Sequence, residues 1–248
     1  MTRDAAWLPL RQELARWQHA GRAAEFWLRD DDAIEPTPAL DRLLELTGEF
    51  AVPVTLAIIP AHTGEALASR LGATAQTSVA VHGWSHRNHA FDGEKKQELG
   101  SHRPRDAVFD ELSRGLAQVT RLHGERTLPM LVPPWNRIDA GLVAGLGPIG
   151  FKALSAFGPP GEAPILMINS NVDVIDWHGT RGCRDDAVLV QEITAQLGRA
   201  FDGGDPVGLL THHLLHDDGA WSFLQRLFET TVRQGGKWLS SREMLGSD

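Results

Sequence analysis

The sequence predicts an α/β fold, a distorted (β/α) barrel with about seven parallel strands. Short apolar runs alternate along the chain with longer amphipathic stretches, and this alternation is typical of a mainly parallel sheet. Most of the apolar runs are rich in Val, Ile and Leu without regular alternation, as expected of strands that are buried on both faces. Seven or eight such units fit a barrel better than an open sheet.

The elements follow one another in a regular order. Strands are predicted at 25–29, 53–59, 78–82, 128–132, 151–155, 165–169 and 207–211, with a weaker one at 237–240. Helices are predicted at 4–19, 37–50, 105–123, 184–201 and 220–234. The second helix opens with Thr37 and Pro38, a capping residue followed by a proline at the first helical position. The polar segment 88–104 is predicted to be a long loop over the functional site.

Composition restricts the class of protein. The 248 residues, 42% of them hydrophobic, suit one large α/β domain, and we assign residues 1–248 to a single domain. A net charge of −8 argues against a nucleic-acid partner, and the single cysteine, Cys183, excludes an internal disulfide. No apolar run approaches the ~18 residues of a membrane span, and the N-terminus lacks the apolar stretch of a signal peptide. We therefore expect a cytoplasmic protein with no membrane partner; its oligomeric state stays open.

Five polar clusters share one position in the predicted fold. They follow the first, third, fourth, sixth and seventh strands, at 30–32, 82–86, 133–136, 169–176 and 212–213. In a parallel barrel the carboxyl ends of the strands form one face, and that face carries the active site. The sequence therefore predicts that these clusters meet at one functional site.

Two of the clusters have the composition of a metal site. His82 and His86 are four residues apart, so both can reach one ion, and three successive aspartates follow the first strand. Three neighbouring carboxylates repel one another unless a positive group holds them. An aspartate and two histidines, with room for water, form the ligand set of a hydrolytic metal site. We expect one divalent ion, with Zn²⁺ the first choice and Co²⁺, Ni²⁺, Mn²⁺ or Fe²⁺ as alternatives.

With these clusters in view, the chain from about Phe26 to His213 resembles the polysaccharide deacetylase family. The family's first motif is a pair of aspartates, a general base followed by a metal ligand. The resemblance implies that Asp31 is the base and Asp32 the ligand, because Ala33 then takes the place of the small residue that follows. The alternative register would use Asp30 and Asp31.

The second and third motifs match less completely. His82 and His86 occupy both histidine positions of the second motif, and Gly83 stands where the family has a hydroxyl residue. The third motif, Val-Pro-Pro-Trp-Asn at 132–136, lacks the family's arginine, and Arg29 or Arg137 are the candidates to replace it. From the same resemblance, Pro134 and Trp135 are expected to contact substrate.

The last two motifs supply the remaining site residues. The fourth resembles Asp173-Val-Ile-Asp176-Trp177, and the fifth, Leu-x-His, ends at His212. A histidine can protonate a leaving nitrogen near neutral pH, so we expect His212 to be the general acid. Asp173 or Asp176 is expected to orient it, and the sequence does not decide between them. Trp177 is expected to line the substrate groove.

The resemblance implies a metal-dependent deacetylase that acts on carbon–nitrogen bonds other than peptide bonds. We expect it to remove an acyl group, most simply acetyl, from an amide nitrogen on a small soluble N-acetylated sugar or oligosaccharide. One alternative is a hydrolase of the same fold that acts on a small non-sugar or cyclic amide. A second is a metal-binding barrel that binds carbohydrate without turnover, which the missing arginine favours. His89 and His216 are expected to lie outside the ligand set.

Overall fold

The predicted fold class, a distorted α/β barrel of parallel strands, is confirmed. The structure is a computed structural model that describes residues 3–246, so the outermost positions of the predicted domain lie outside the described residues. Within that range the strands are β1 Glu25–Ala33, β2 Val54–Ile58, β3 Thr77–His82, β4 Thr127–Val132, β5 Ala153–Leu154, β6 Leu166–Met167, β7 Val172–Asp173, β8 Val207–Thr211 and β9 Lys237–Trp238. Eight of them follow the order β6-β5-β4-β3-β2-β1-β8-β7, against about seven predicted, and β9 pairs with β1.

Among the described residues, four of the five predicted helices are present, the first is divided into two, and three short helices were not predicted. The helices are α1 Arg3–Ala6, α2 Leu8–His19, α3 Pro38–Glu49, α4 Glu65–Gly72, α5 Arg105–His123, α6 Ala140–Val143, α7 Asp186–Phe201, α8 Asp218–Arg233 and α9 Ser241–Met244. The continuous helix predicted at 4–19 is wrong, because the chain breaks at Trp7. Pro9 lies in the first turn of α2, where its missing N–H and its ring prevent α1 from continuing. No helix among the described residues is both long and apolar enough to cross a membrane.

The strand predictions need three corrections. β1 continues to Ala33, so the three aspartates lie inside the strand rather than after it. The strands predicted at 151–155 and 165–169 shorten to two residues each, and the two-residue strand β7 was not predicted. Gly and Pro near these segments favour turns, so the extended backbone there is shorter than the apolar runs suggest.

The chain divides into two compact units, and the single domain predicted for 1–248 stays a prediction. The first unit comprises Met1–Arg29, Pro38–Val54 and Ser170–Ser240. It contains the parallel pairs β1–β9 and β7–β8. Its core is aromatic: the Phe26 and Trp238 rings stack at 5.1 Å, and Trp7 packs on Phe223 at 5.4 Å.

The second unit comprises Asp30–Thr37, Thr55–Asn169 and Ser241–Asp248. It contains the parallel ladder β3–β4–β5–β6 with α5 beside it. Gly115 on α5 allows a close approach, because a Cβ there would lie 3.1 Å from Pro60 Cγ and 3.5 Å from the Gly83 carbonyl oxygen. Helix α5 therefore supports the segment that follows β3.

Candidate functional site

Three predicted metal ligands lie together in the second unit. Asp32 Oδ1 is 3.1 Å from His82 Nε2 and 3.3 Å from His86 Nε2. One ligand atom from each residue lies within 4.8 Å of the other two. The His82 side chain is 2% exposed, whereas those of His86 and Asp32 are 22% and 31% exposed. One carboxylate and two imidazoles therefore form a partly accessible group that can hold a metal ion.

The hydrogen bond on the far side of His82 favours the protonation state that a ligand needs. Nδ1 of His82 lies 2.9 Å from the Val132 carbonyl oxygen at the end of β4. A carbonyl only accepts, so Nδ1 carries the hydrogen, and Nε2, which faces Asp32 Oδ1, is the nitrogen that would coordinate an ion once it loses its own proton. Backbone carbonyls commonly orient metal-binding histidines in this way.

The backbone around the cluster is strained. Asp32 and His86 adopt φ values of +73° and +56°, and Gly83 adopts +60°. Left-handed conformations of non-glycine residues cost about 1–3 kcal/mol each, and they concentrate at functional sites. Backbone strain is therefore concentrated where the two imidazoles and the carboxylate converge.

The two histidines differ in their affinity for protons. Burial lowers the pKa of His82, but the hydrogen bond to Asp32 and the charges of Asp31 and Asp32 outweigh it, so that the pKa is raised. Burial, together with the neighbouring His82, lowers the pKa of His86 despite the nearby Asp32. The carboxylates of Asp31 and Asp32 thus both act on the histidine pair.

Among the three successive aspartates, Asp32 is the one whose carboxylate enters the cluster. Asp30 and Asp31 are buried in β1, at 0% and 2% exposure. Asp31 is nevertheless close enough to influence the pKa of both His82 and His86. This placement is compatible with the register that assigns Asp31 as base and Asp32 as ligand, and both roles stay predictions.

Glu98, which the sequence reasoning missed, is fully buried against the segment between the two histidines. Its Oε1 accepts hydrogen bonds from the Ser85 N–H at 2.8 Å and the Ser85 hydroxyl at 3.0 Å. Its Oε2 accepts from the Trp84 N–H at 3.1 Å. No sequence pattern indicated this contact, because Glu98 lies in a polar loop where an acidic residue is usually solvated.

The segment after β4 forms one wall beside the cluster. The Trp135 ring lies 4.4 Å from the His86 ring, and Trp135 and Asn136 have φ values of +55° and +56°. The N–H groups of Asn136 and Arg137 bond to the carbonyls of Pro133 and Pro134 within the turn. The first two residues of this turn are prolines without an N–H, so Trp135 supplies the first backbone donor of the stretch.

The two candidates to replace the missing arginine lie in different surroundings. Arg137 Nη1 donates to the Lys96 carbonyl at 2.9 Å, on the segment that also carries Glu98. Arg29 is fully buried in β1, two residues before Asp31. The replacement of the missing arginine by Arg29 or by Arg137 stays a prediction.

The remaining predicted residues lie in the first unit. The Trp177 ring packs edge-on against the His212 ring at 4.7 Å, and its Nε1–H donates to Asp173 Oδ2 at 2.8 Å. Asp176 Oδ2 instead accepts from the Thr180 N–H in a local turn. Of the two aspartates expected to orient His212, Asp173 is thus linked to it through Trp177. Nδ1 of His212 has no hydrogen-bond partner among residues 3–246.

Other polar residues near these motifs have structural partners. His216 bonds to the Thr211 hydroxyl and packs on Trp221. Asp217 caps α8 by accepting from the Ala220 N–H. Burial, with the charge of Asp217, raises the pKa of the Cys183 thiol to about 12, so Cys183 is not a reactive nucleophile near neutral pH.

The sequence matches no family model and no curated protein, but the fold matches solved structures. A protein from Mycobacterium smegmatis named as a polysaccharide deacetylase superposes with a TM-score of 0.69 at 17% identity, over 91% of this chain and 90% of that one. A family 4 acetyl xylan esterase from Clostridium thermocellum in complex with a cobalt ion gives a TM-score of 0.58 at 13% identity, over 90% of each chain. A family 4 pseudoenzyme from Bacillus anthracis gives 0.62 at 16% identity, over 91% and 66%.

The class that these observations define is the polysaccharide deacetylase fold. The predicted resemblance to that family is therefore confirmed at the level of fold.

Proposed function

We propose that this protein is a metal-dependent hydrolase that removes an acetyl group from the amide nitrogen of a small soluble N-acetylated sugar. One observation carries the proposal: Asp32, His82 and His86 direct their ligand atoms to within 4.8 Å of one another. A carboxylate with two imidazoles is the donor set of hydrolytic metal centres, and three protein ligands leave positions for water and substrate.

The donor set fits a borderline divalent ion. Zn²⁺ is the first choice, and Co²⁺, Ni²⁺, Mn²⁺ and Fe²⁺ accept the same ligands. Such an ion, when bound by Asp32, His82 and His86, supplies Lewis acidity that favours ionisation of water and polarises a carbonyl. The hydrogen bond from His82 Nδ1 to the Val132 carbonyl supports this role, because it fixes the ring with Nε2 toward Asp32 and His86.

The other steps of amide hydrolysis are assigned to groups of the chain. Asp31 takes a proton from the attacking water, and the backbone N–H of Trp135 stabilises the oxyanion that forms on the carbonyl oxygen. His212 gives a proton to the leaving nitrogen as the carbon–nitrogen bond breaks, so acetate and a free amine result. The position of Asp31 in β1, directly before Asp32 of the cluster, supports its part, whereas that of His212 stays a prediction.

The similar proteins support a deacetylase on sugars. Their names describe a polysaccharide deacetylase and an acetyl xylan esterase, the latter with a cobalt ion. Trp135, beside His86, offers an aromatic face, and such faces can pack on the apolar side of a sugar ring.

Acetate release tests the proposal. Metal-loaded protein is offered N-acetylated monosaccharides and oligosaccharides, insoluble chitin particles, and small linear and cyclic amides. We expect release from the soluble sugars and little from the particles. Turnover of the amides alone would favour the alternative hydrolase, and rapid release from particles alone would contradict the preference for small substrates.

A second candidate is a metal-binding barrel that binds carbohydrate without turnover. The motif at 132–136 lacks the arginine found in the family, and one similar structure is described as a pseudoenzyme. The same panel separates the two: metal-loaded protein that binds an N-acetylated oligosaccharide by calorimetry but releases no acetate would establish this candidate instead.

A further inference from the structure

The carboxylate of Glu98 contacts the three-residue segment 83–85 that joins the two candidate histidine ligands. It accepts three hydrogen bonds there, from the Trp84 N–H, the Ser85 N–H and the Ser85 hydroxyl, at 2.8–3.1 Å. Glu98 is fully buried, so its oxygens depend on these donors rather than on water. The contacts are therefore strong constraints on the backbone between His82 and His86.

Gly83 makes room for this carboxylate. A Cβ at position 83 would lie 2.0 Å from Glu98 Oε2 and 2.6 Å from Pro134 Cγ. The φ of Gly83, +60°, also belongs to the left-handed region that favours glycine. Glycine at this position and glutamate at position 98 are thus complementary: the first leaves the space that the second fills.

The loop that carries Glu98 is itself fixed on both sides of the glutamate. The Asn88 side chain accepts from the Gln97 N–H at 2.9 Å, and the Gln97 carbonyl accepts from the His89 N–H at 2.9 Å. On the other side, the Leu99 carbonyl accepts from the Asp139 N–H at 2.8 Å. The backbone on both sides of Glu98 is therefore held by hydrogen bonds, which restricts the position of its carboxylate.

We propose that Glu98 is a positioning residue for metal binding. By holding the Trp84 and Ser85 amides, it sets the left-handed turn at His86 and presents both imidazoles to one ion before the ion arrives. The inference rests on the metal site of the proposed function, and it adds a residue that touches neither the ion nor the substrate. Loss of such supporting contacts typically weakens metal binding by about 10- to 100-fold.

Binding of Co²⁺, followed by its visible absorption, tests the inference without any measurement of turnover. Glu98→Gln retains the shape but turns an N–H₂ group toward one of the donors, and Glu98→Ala removes all the acceptors. We expect the Co²⁺ dissociation constant to rise about 10-fold in Glu98→Gln and toward 100-fold in Glu98→Ala, with an altered absorption spectrum. Ser85→Ala, which removes the hydroxyl alone, should weaken binding by less than Glu98→Gln.

Glu94→Gln is the matched control. Glu94 lies on the same loop, but its carboxylate pairs with His102 at 2.7 Å on the surface, so this variant should bind Co²⁺ as the wild type does. Thermal unfolding without metal is measured for every variant. Glu98 variants that lose stability but keep the wild-type Co²⁺ affinity and spectrum would overturn the positioning role and leave the proposed function standing. A wild-type protein that binds no Co²⁺ would overturn both.

Discussion

Replacing Asp31 by asparagine is expected to lower the turnover number about 10²–10⁴-fold, which is the usual contribution of a positioned general base. That loss corresponds to about 2.7–5.4 kcal/mol of activation free energy, at 1.36 kcal/mol for each factor of ten. Asp31 is 2% exposed, and asparagine has nearly the same volume, so the substitution removes the charge without opening a cavity.

The assay must separate base catalysis from metal binding. The charge of Asp31 acts on both His82 and His86, so its removal is expected also to weaken metal binding. Acetate release is therefore measured at saturating Co²⁺ or Zn²⁺, and kcat is compared rather than activity at a fixed metal concentration. Metal content at saturation confirms that the variant is loaded.

Asp30→Asn is the matched control, because Asp30 is the preceding aspartate of β1 and is equally buried. The register proposed here predicts that Asp30→Asn retains kcat within a few fold, provided that it folds. Near-normal turnover in Asp31→Asn together with an inactive, folded and metal-loaded Asp30→Asn would refute the assignment.

Three further predictions address other parts of the chain. His212→Ala should lower kcat about 10²–10⁴-fold at saturating metal, and unchanged kcat would exclude His212 as the general acid. Burial, with the charge of Arg126, lowers the pKa of His123 to about 4, so its contribution to stability is present above pH 6.5 and is lost as the pH falls toward 4. After allowance for solvent screening, this contribution amounts to about 2 kcal/mol. The free energy of unfolding in urea should therefore change less between pH 8 and pH 5 in His123→Leu than in wild type. Equal changes in the two proteins would contradict the assignment. Gly83→Ala should lower the free energy of unfolding by about 1–3 kcal/mol, because its methyl group would overlap Glu98; an unchanged melting curve would contradict that reasoning.

The strand–helix alternation predicted the fold class, and the polar residues near strand ends predicted that an aspartate of 30–32 meets His82 and His86; the resemblance to the family selected Asp32. Both signals are local in sequence: a buried parallel strand contains a short apolar run, and polar residues lie at or near its carboxyl end. The polar clusters at 82–86 and 133–136 are adjacent in space for that reason, as the 4.4 Å approach of Trp135 to His86 demonstrates.

Features that depend on contacts between distant segments could not be read from the sequence. Glu98 bonds to Ser85 across 13 positions of irregular chain, and no periodic pattern encodes such a contact. The φ of +73° at Asp32 arises within a strand, where the pattern predicted an end instead. The link from Asp173 to His212 runs through the Trp177 ring, so the residue spacing alone could not choose between Asp173 and Asp176.

Metal content is the most direct test of the central claim. Protein purified without chelator and dialysed against Zn²⁺ or Co²⁺ is analysed for elements beside the His82→Ala/His86→Ala double variant. We predict one divalent ion per chain in the wild type and almost none in the variant, with unchanged circular dichroism, because a core of this size does not depend on one ion. Equal metal content in the two folded proteins would contradict the assignment of Asp32, His82 and His86 as the metal site.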